Sequence, residues 1–339
     1  MDVFELTRAL VDIESITLNE ERVGNYLCDY LALLAARYGG KLERMEVEPR
    51  RFNLFASWGE PPLVTLSTHM DTVPPFFQSS EDETYIYGRA ACDAKGIIAA
   101  MIHAVQNLLE AGERGFGLLL VVGEERNSAG AYHAAVTPRG SRYIVNGEPT
   151  ENKLALGSKG VLRYEVAAAG KMAHSAYPEL GESAIDKLLD ALERIRRIPL
   201  PADPLLGAST LNIGTISGGR APNVIADEAR AEILIRLVGD STSTKEALAA
   251  AVAGLAELRE VIEIPAARMN ALDGMPTTVV AFTTDIPAFG GAWGEPFLIG
   301  PGSIHVAHTL EERVEKAQLV EAVEIYRRMV KELCKRASK

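Results

Sequence analysis

The chain has 339 residues, a length at which two domains are the more common arrangement. Hydrophobic residues make up 47% of it and charged residues 24%, proportions that are typical of a globular protein and exclude a disordered or fibrous one. The 46 acidic residues outnumber the 35 Lys and Arg residues, and the formal net charge of −11 argues against binding to nucleic acid or to an anionic membrane.

The cysteines and the N-terminal sequence bear on the cellular compartment. There are three cysteines, an odd number spread far apart, which argues against a disulfide framework and favours a reducing environment. The first residues are acidic and lack the basic region and apolar run of a signal peptide. No apolar segment approaches the ~20 residues that a membrane-spanning helix needs. We therefore expect a cytoplasmic protein.

The first predicted elements alternate between helix and strand. A helix follows Asn19, which can cap it, and ends at Gly39-Gly40. Apolar runs at 52–58 and 63–68 predict strands, 97–109 has the period of a helix, and 116–122 is a continuous apolar strand. This order predicts an α/β fold with a mixed, mostly parallel sheet flanked by helices.

A different pattern begins near Gly157. It predicts strand 161–169, helix 183–197, strands 209–217 and 224–238, helix 243–256 and strand 260–266. This βαββαβ order is that of a ferredoxin-like unit. A strand near 277–283 and a helix near 315–335 follow it. We therefore predict that residues 158–271 form a domain inserted into a first domain made of residues 1–157 and 272–339.

Several polar segments follow predicted strands, where ligands bind in α/β sheets, or lie in loops. They are His69-Met70-Asp71, Cys92-Asp93-Ala94-Lys95-Gly96, Glu124-Glu125, Gly147-Glu148-Pro149-Thr150 and the segment from Gly300 to His308. Alone, most of them would pass as a turn, a solvated strand end or a helix cap. Together they offer imidazole and carboxylate donors, which suit zinc, cobalt or manganese. The spacing therefore predicts a metal centre of two histidines and up to four acids.

Two of these segments favour a division of labour. Glu124 and Glu125 are adjacent acids after a buried strand, and their repulsion costs stability unless a cation or a proton lies between them. Because neighbouring side chains of an extended chain point apart, the natural division is one metal ligand and one general base. Asp71 could orient the imidazole of His69, or it could simply be a solvated acid at the end of a strand.

As an ordered set, the motifs resemble the co-catalytic zinc amidohydrolases, which include acetylornithine deacetylase, succinyl-diaminopimelate desuccinylase, aminoacylase and glutamate carboxypeptidase. The resemblance covers essentially the whole chain. It implies a zinc exopeptidase-like catalytic domain, with the inserted domain acting as a lid and a dimerisation surface. It also implies two Zn²⁺ ions as cofactors, with Co²⁺ or Mn²⁺ as substitutes.

The resemblance assigns roles to residues of the first domain. Asp93 would bridge the two ions, with His69 and Glu148 completing one coordination shell and Glu125 and His308 the other. Asp71 would orient His69, Glu124 would be the general base, and the peptide bond between Asp93 and Ala94 is expected to be cis. His305 is an alternative to His308, because one helical turn could bring both to the same ion.

In the inserted domain the resemblance points to His174, Asn223 and Arg236. His174 would stabilise the oxyanion, and in dimeric relatives it does so from the partner subunit. Asn223 and Arg236 would contact the substrate's carboxylate, although a salt bridge explains Arg236 equally well. The loop Thr284-Asp285-Ile286-Pro287 lacks the Arg of many carboxylate-selective relatives, so a succinyl group is less expected.

These observations predict an enzyme that hydrolyses the amide bond of a small N-acyl amino acid, most like acetylornithine deacetylase. A water activated by two zinc ions would attack, Glu124 would be the general base, and the protein would be a homodimer through the inserted domain. The alternatives are a deacylase of acyl-lysine or a related amino acid, a dipeptidase, and a non-catalytic binding protein on the same fold. The last is disfavoured because all five metal residues and Glu124 are present.

Overall fold

The computed structural model describes residues 1–337. Its helices are α1 (Val3–Val11), α2 (Glu21–Tyr38), α3 (Gly96–Glu110), α4 (Ala129–Ala135), α5 (Ala184–Arg196), α6 (Thr242–Val252), α7 (Ile286–Phe289) and α8 (Lys316–Ala337). Its strands are β1 (Lys41–Glu48), β2 (Arg51–Trp58), β3 (Val64–His69), β4 (Ser80–Glu81), β5 (Tyr85–Tyr87), β6 (Phe116–Val121), β7 (Tyr143–Asn146), β8 (Leu154–Ser158), β9 (Gly160–Ala169), β10 (Ala202–Asp203), β11 (Gly207–Ala208), β12 (Thr210–Gly218), β13 (Glu228–Leu237), β14 (Glu257–Ile264), β15 (Ala267–Arg268), β16 (Thr277–Val280), β17 (Glu295–Leu298) and β18 (Arg313–Glu315).

The described chain divides into two compact units. The first contains Met1–Leu156, Met269–Thr278 and the chain from Thr284 onward, and the second contains Gly157–Arg268 and Val279–Thr283. Strands β15, β8 and β16, in that order, form a small sheet that includes the points where the chain passes from one unit to the other. None of the helices within residues 1–337 is long and apolar enough to span a membrane.

The first unit is built on a six-stranded sheet with the order β1-β2-β6-β3-β7-β17. The pairs β6-β3, β3-β7 and β7-β17 are parallel, whereas β1-β2 and β2-β6 are antiparallel. This mixed, mostly parallel sheet with its helices confirms the predicted fold class.

Strand β6 is the centre of this unit because it is buried on both faces. Leu118 and Leu120 join the core that includes residues of α3 and α8. Leu119 and Val121 join a second core on the other face, together with Trp293. The continuous apolar run at 116–122 therefore reflects cover on both sides of the sheet.

Helix α2 ends as predicted but begins differently. Gly39, in the left-handed conformation at φ 67°, terminates it. Asn19 is not the cap: Glu20 occupies the cap position and makes no capping hydrogen bond. The carboxylate of Glu20 instead pairs with the buried guanidinium of Arg51, with 2.6 Å between Oε1 and Nη2. Glu20 thus neutralises the buried charge of Arg51 and does not cap the helix.

The second unit has a four-stranded antiparallel sheet with the order β12-β13-β9-β14. With α5 and α6 it follows the βαββαβ order predicted for a ferredoxin-like unit. Alternate residues of β9, among them Leu162, Tyr164 and Val166, pack into one core with residues of both helices. One face of the sheet therefore carries the core, as is usual for antiparallel sheets.

The strand predicted at 224–238 begins only at Glu228. The preceding residues pair with another loop instead: Ser175 N–H donates to the Asn223 carbonyl at 3.0 Å, and Ile225 N–H donates to the Ala173 carbonyl at 2.9 Å. This loop pairing places the backbones of His174 and Asn223 next to each other.

Candidate metal centre

Three neighbouring parallel strands of the first unit end at the same edge of the sheet. His69 is the last residue of β3, Glu124 and Glu125 follow β6, and Glu148 follows β7. Because the order is β6-β3-β7, the sheet gathers these side chains at its carboxyl edge. Loop contacts fix the last of them, since Gly147 N–H donates to the Ser67 carbonyl at 2.7 Å.

Asp93 comes from outside the sheet. It lies in the tight turn Ala91–Lys95 that precedes α3, with the non-helical angles φ −131° and ψ 85°. The bond between Asp93 and Ala94 is cis, as expected. The alternative that Asp93 caps α3 is wrong, because Lys95 is the residue at the helix N-cap.

The two carboxylate oxygens of Asp93 face two different histidines. Its Oδ1 lies 3.0 Å from Nε2 of His69, and its Oδ2 lies 3.4 Å from Nε2 of His308. His308 also lies 3.0 Å from Oε1 of Glu125. An acid with one oxygen turned towards each histidine has the arrangement of a bridging ligand.

The structure brings all five predicted ligands into two groups that share Asp93. One group is His69, Asp93 and Glu148, and the other is Asp93, Glu125 and His308. Within each group the donor atoms lie within 4.8 Å of one another. His305 belongs to neither group.

Asp71 holds the loop that carries the two adjacent acids. Its Oδ1 accepts hydrogen bonds from the backbone N–H of Gly123 at 2.9 Å and Glu124 at 3.1 Å. Its Oδ2 accepts from Glu125 N–H at 3.2 Å and from the Thr17 hydroxyl at 2.8 Å.

The contact between Asp71 and the imidazole of His69 is of a different kind from the predicted one. The ring nitrogen Nδ1 lies 3.0 Å from the backbone carbonyl of Asp71 and 3.6 Å from its carboxylate. The carbonyl is therefore the closer hydrogen-bond partner of the ring, and it favours the tautomer with hydrogen on Nδ1 and a lone pair on Nε2.

The buried carboxylates of this site have too few positively charged neighbours to balance their own charges. Burial, and then repulsion by Glu148, raise the pKa of Glu124 well above its ordinary value. Burial, and then Asp93, do the same for the pKa of Glu148, whose buried Oε1 has no hydrogen-bond partner within residues 1–337. A nearby cation lowers the pKa of such acids and stabilises their ionised form. The donor set, two imidazoles with three carboxylates, fits zinc or a similar divalent ion.

The carboxylates next to His308 favour its protonated form. Hydrogen bonds to Asp93 and Glu125 raise the pKa of His308 to about 10. Burial would raise the pKa of Asp93, but the two histidines overcome this and hold it below its ordinary value. A cation that bound to His308 would therefore displace a proton from it.

Asp285 is a further buried acid of the first unit to which the sequence assigned no role. It is 1% exposed, and neither of its carboxylate oxygens has a hydrogen-bond partner within residues 1–337. Burial raises its pKa to about 7. In the sequence, this loop was notable only because it lacks an Arg. The burial of Asp285 could not be predicted, because a single Asp in a loop carries no signal of burial.

The residue predicted to stabilise the oxyanion, His174, and the two predicted to contact the substrate's carboxylate, Asn223 and Arg236, lie in the second unit. His174 is exposed, and its Nδ1 accepts a hydrogen bond from Ala176 N–H at 3.1 Å. Asn223 lies beside it through the loop pairing described above. Arg236, on β13, is partly buried, and burial lowers its pKa. The salt-bridge explanation for Arg236 is not realised among the described residues, because burial alone, and no carboxylate, shifts the pKa of its guanidinium.

Comparison with known proteins gives the family. The family model described as peptidase family M20/M25/M40 matches residues 65–332. A peptidase M20 domain-containing protein of Schizosaccharomyces pombe is 39% identical, with 97% of this chain and 84% of that protein covered. A probable carboxypeptidase of Aspergillus niger is 35% identical, with 97% and 89% covered.

Solved structures share the fold at lower identity. A tripeptidase from Staphylococcus aureus has a TM-score of 0.82 at 21% identity, covering 99% of this chain and 98% of its own. An M20 family metallo-carboxypeptidase from Sulfolobus solfataricus has a TM-score of 0.79 at 16% identity, covering 98% and 99%. At these identities the likeness is one of fold.

Proposed function

This chain belongs to the peptidase family M20/M25/M40, and we propose that it cleaves the amide bond next to a free carboxylate in short peptides or N-acyl amino acids. It is a hydrolase of the metal-dependent amidohydrolase type. The observation that carries the proposal is the pair of ligand groups sharing Asp93, with Glu124 beside them and outside both.

Two divalent cations, which we propose to be zinc, would be held by these two groups. Bound there, they would act as Lewis acids that polarise a carbonyl and favour ionisation of water near neutral pH. His69 and Glu148 would hold one ion, Glu125 and His308 the other, and Asp93 both. This use of the five residues leaves Glu124 without a ligand role.

Glu124 is the proposed general base. Burial, and then repulsion by Glu148, raise its pKa, and a carboxyl group of weakened acidity suits a role that must both accept and return a proton. It would take a proton from the attacking water and give it to the leaving amine. Asp71 holds the Glu124 backbone through the 3.1 Å hydrogen bond and so fixes where this transfer takes place.

His174 is the proposed donor to the oxyanion. Because its Nδ1 accepts from Ala176 N–H, the neutral ring carries its hydrogen on Nε2. That nitrogen is then ready to donate to a developing negative charge. We propose that it does so across a homodimer formed through the second unit.

The substrate class rests on Arg236 and Asn223. A partly buried guanidinium without an ion pair among the described residues is a suitable partner for a substrate carboxylate. The names of the relatives, probable carboxypeptidase and tripeptidase, favour peptides as substrates. Deacetylation of an acetylornithine-like amino acid is the second candidate, because such a substrate presents the same α-carboxylate to Arg236.

A Glu124→Gln variant tests the proposed role of the base. Turnover is expected to fall by about 10²- to 10⁴-fold, because the amide cannot carry the proton. Zinc content, measured by atomic absorption, should stay at the wild-type value, since Glu124 is in neither ligand group. The matched control is Glu110→Gln, at the exposed end of α3, which should leave both quantities unchanged.

A substrate panel ranks the two substrate classes. Purified protein would be assayed with dipeptides, tripeptides, N-acetyl amino acids including N-acetylornithine, and the same compounds with an amidated carboxyl group. Amidation should raise KM for every substrate that is cleaved, because Arg236 loses its partner. Cleavage of amidated compounds at the same kcat/KM would contradict the proposed recognition.

A further inference from the structure

Glu312 is a buried acid that follows His308 in the chain and packs against the loop carrying Asp93. It is 1% exposed and directly precedes β18, which pairs with β5. Its backbone carbonyl accepts a hydrogen bond from Gly88 N–H at 3.1 Å. The segments that carry two of the proposed ligands, Asp93 and His308, are thus joined next to Glu312.

The side chain of Glu312 contacts the backbone of Asp93 itself. Its Oε1 lies 3.3 Å from Asp93 N–H, which donates to it, and 3.6 Å from the thiol of Cys92. Its other oxygen, Oε2, accepts from Nη1 of Arg89 at 2.5 Å. One oxygen therefore serves the Asp93 turn and the other a cation behind it.

Arg89 is anchored independently of this pair. It is 0% exposed, its Nε donates to the Pro75 carbonyl at 3.1 Å, and its guanidinium lies 5.1 Å from the centre of the Phe77 ring. A buried ion pair adds little to stability compared with apolar residues of the same shape, because both charges must leave water. A gain in stability is therefore a weak explanation for the pair of Arg89 and Glu312. Positioning of the Asp93 backbone is the stronger explanation.

The turn at Asp93 needs such an anchor. The angles of Asp93 and Ala94 are non-helical, so these two residues lie outside the regular hydrogen bonding of α3. Yet the Asp93 carboxylate must keep one oxygen at 3.0 Å from His69 and the other at 3.4 Å from His308. The bond from Asp93 N–H to Glu312 fixes the backbone from which that carboxylate projects.

We propose that Glu312, held by Arg89, is a positioning residue that sets the orientation of Asp93 for binding two metal ions at once. The inference rests on the proposed role of Asp93 as the shared ligand. Groups that orient metal ligands typically change metal affinity or activity by about 10- to 100-fold when they are replaced.

The test is a Glu312→Gln variant with a matched control one residue away. An amide has one acceptor, so it cannot serve Asp93 N–H and Arg89 together: in either orientation its NH₂ group faces another donor. The control is Glu311→Gln, whose side chain is 85% exposed. Metal-stripped proteins would be titrated with Zn²⁺ by calorimetry and with Co²⁺ by visible absorption.

We expect Glu312→Gln to bind zinc about 10- to 100-fold more weakly than wild type. Its Co²⁺ spectrum should differ in shape, and its kcat should fall more than its KM rises. Glu311→Gln should match wild type in all three. Thermal unfolding of the metal-stripped proteins reports whether each variant is folded. If Glu312→Gln does not fold, Glu312→Asp replaces it, since that variant keeps the charge opposite Arg89 but withdraws the oxygen from Asp93.

Wild-type zinc affinity and an unchanged Co²⁺ spectrum in the folded Glu312 variant would overturn the proposal. An Asp93→Ala variant separates this outcome from failure of the proposed function. If wild type binds zinc and Asp93→Ala does not, an unaffected Glu312 variant refutes the positioning role alone. If Asp93→Ala binds both ions as wild type does, the shared-ligand role is refuted and the inference falls with it.

Discussion

Asp71 does more in the structure than its place in a His-x-Asp motif suggests. Its carboxylate accepts four hydrogen bonds, three of them from consecutive backbone N–H groups at Gly123, Glu124 and Glu125. Burial would raise the pKa of this acid, but the imidazole of His69, helped by the bonds from Thr17 and Glu124 N–H, holds it below its ordinary value. A single carboxylate thus fixes the backbone of both the proposed base and a proposed ligand.

Replacing Asp71 by Asn should therefore destabilise the protein before any metal is considered. The amide offers one oxygen, so at least one buried N–H group loses its acceptor, which costs about 1–3 kcal/mol. The free energy of unfolding in urea, measured on metal-stripped protein, is expected to fall by that amount. Asp273→Asn, in an exposed turn, is the control and should leave it unchanged. Equal stability of the two variants would contradict the backbone role.

At the level of single residues, the sequence could predict membership of the site but not the hydrogen bonds within it. The five proposed ligands were assigned from the family resemblance of the ordered motifs, and the structure places them in two groups that share Asp93. The bonds from Asp71 to the Glu124 loop and from Glu312 to Asp93 join residues far apart in the chain, and only the fold brings them together. Likewise, nothing in the sequence marks Asp285 as buried.

Among the secondary-structure elements, strand β1 escaped prediction. Five of the eight residues of Lys41–Glu48 are charged, and only Met45 is buried. It lies at the edge of the sheet, and pairing with β2, not an apolar pattern, makes it a strand. The central strand β6 was predicted well because both of its faces are buried, so that burial alone shaped its composition.

The contact between α3 and Gly147, in the loop after β7, sets the depth of Glu148 in the site. A Cβ on Gly147 would lie 2.4 Å from Ile97 Cγ2 and 2.6 Å from Met101 Cε, so helix and loop meet at van der Waals distance. The absence of a side chain at Gly147 is what allows the next residue to reach His69 and Asp93.

A Gly147→Ala variant should disturb both packing and metal binding. Overpacking of this kind typically costs about 1–3 kcal/mol. We expect a lower melting temperature of the metal-stripped protein and weaker zinc binding, because Glu148 moves with its neighbour. Gly214→Ala is the control, since a Cβ there meets nothing closer than 3.7 Å. An unchanged zinc affinity in a destabilised Gly147→Ala protein would show that Glu148 is not held in this way.

For the whole molecule, the balance of charge and protons depends on metal. Two divalent cations would bring the formal net charge from −11 to −7. In the metal-free protein, His308 has a pKa raised to about 10 from an ordinary 6.5. The raised pKa values of Glu124 and Glu148 also keep protons on the folded state that the unfolded chain releases. The contribution of these protons to folding stability is complete at pH values below the pKa values of the unfolded chain. It is lost as the pH rises through the higher pKa values of the folded protein.

The stabilisation by metal should therefore grow with pH. Cations compete with these protons, so zinc-loaded and EDTA-treated proteins should differ more in melting temperature at about pH 8.5 than at about pH 6. Lys95, whose pKa burial lowers to about 7, acts in the opposite direction. Because Lys95 is not a proposed ligand, it affects the zinc-loaded and the EDTA-treated protein alike. Its effect therefore cancels when their melting temperatures are subtracted. If the difference in melting temperature between the two proteins did not change with pH, proton release on metal binding would be contradicted.

The second unit leaves and re-enters the first at neighbouring points of one ladder. Gly157 pairs with Arg268 and Ser158 with Ala267 in the antiparallel contact between β8 and β15. Paired positions in such a ladder lie about 4.5–5.5 Å apart, a gap that a turn of two residues can close. An evolving gene could therefore acquire, exchange or discard the whole insert with little disturbance of the strands on either side. Asn223 and Arg236, which we propose contact the substrate's carboxylate, lie on that insert, so they could then diversify while the proposed metal ligands of the first unit stayed as they were.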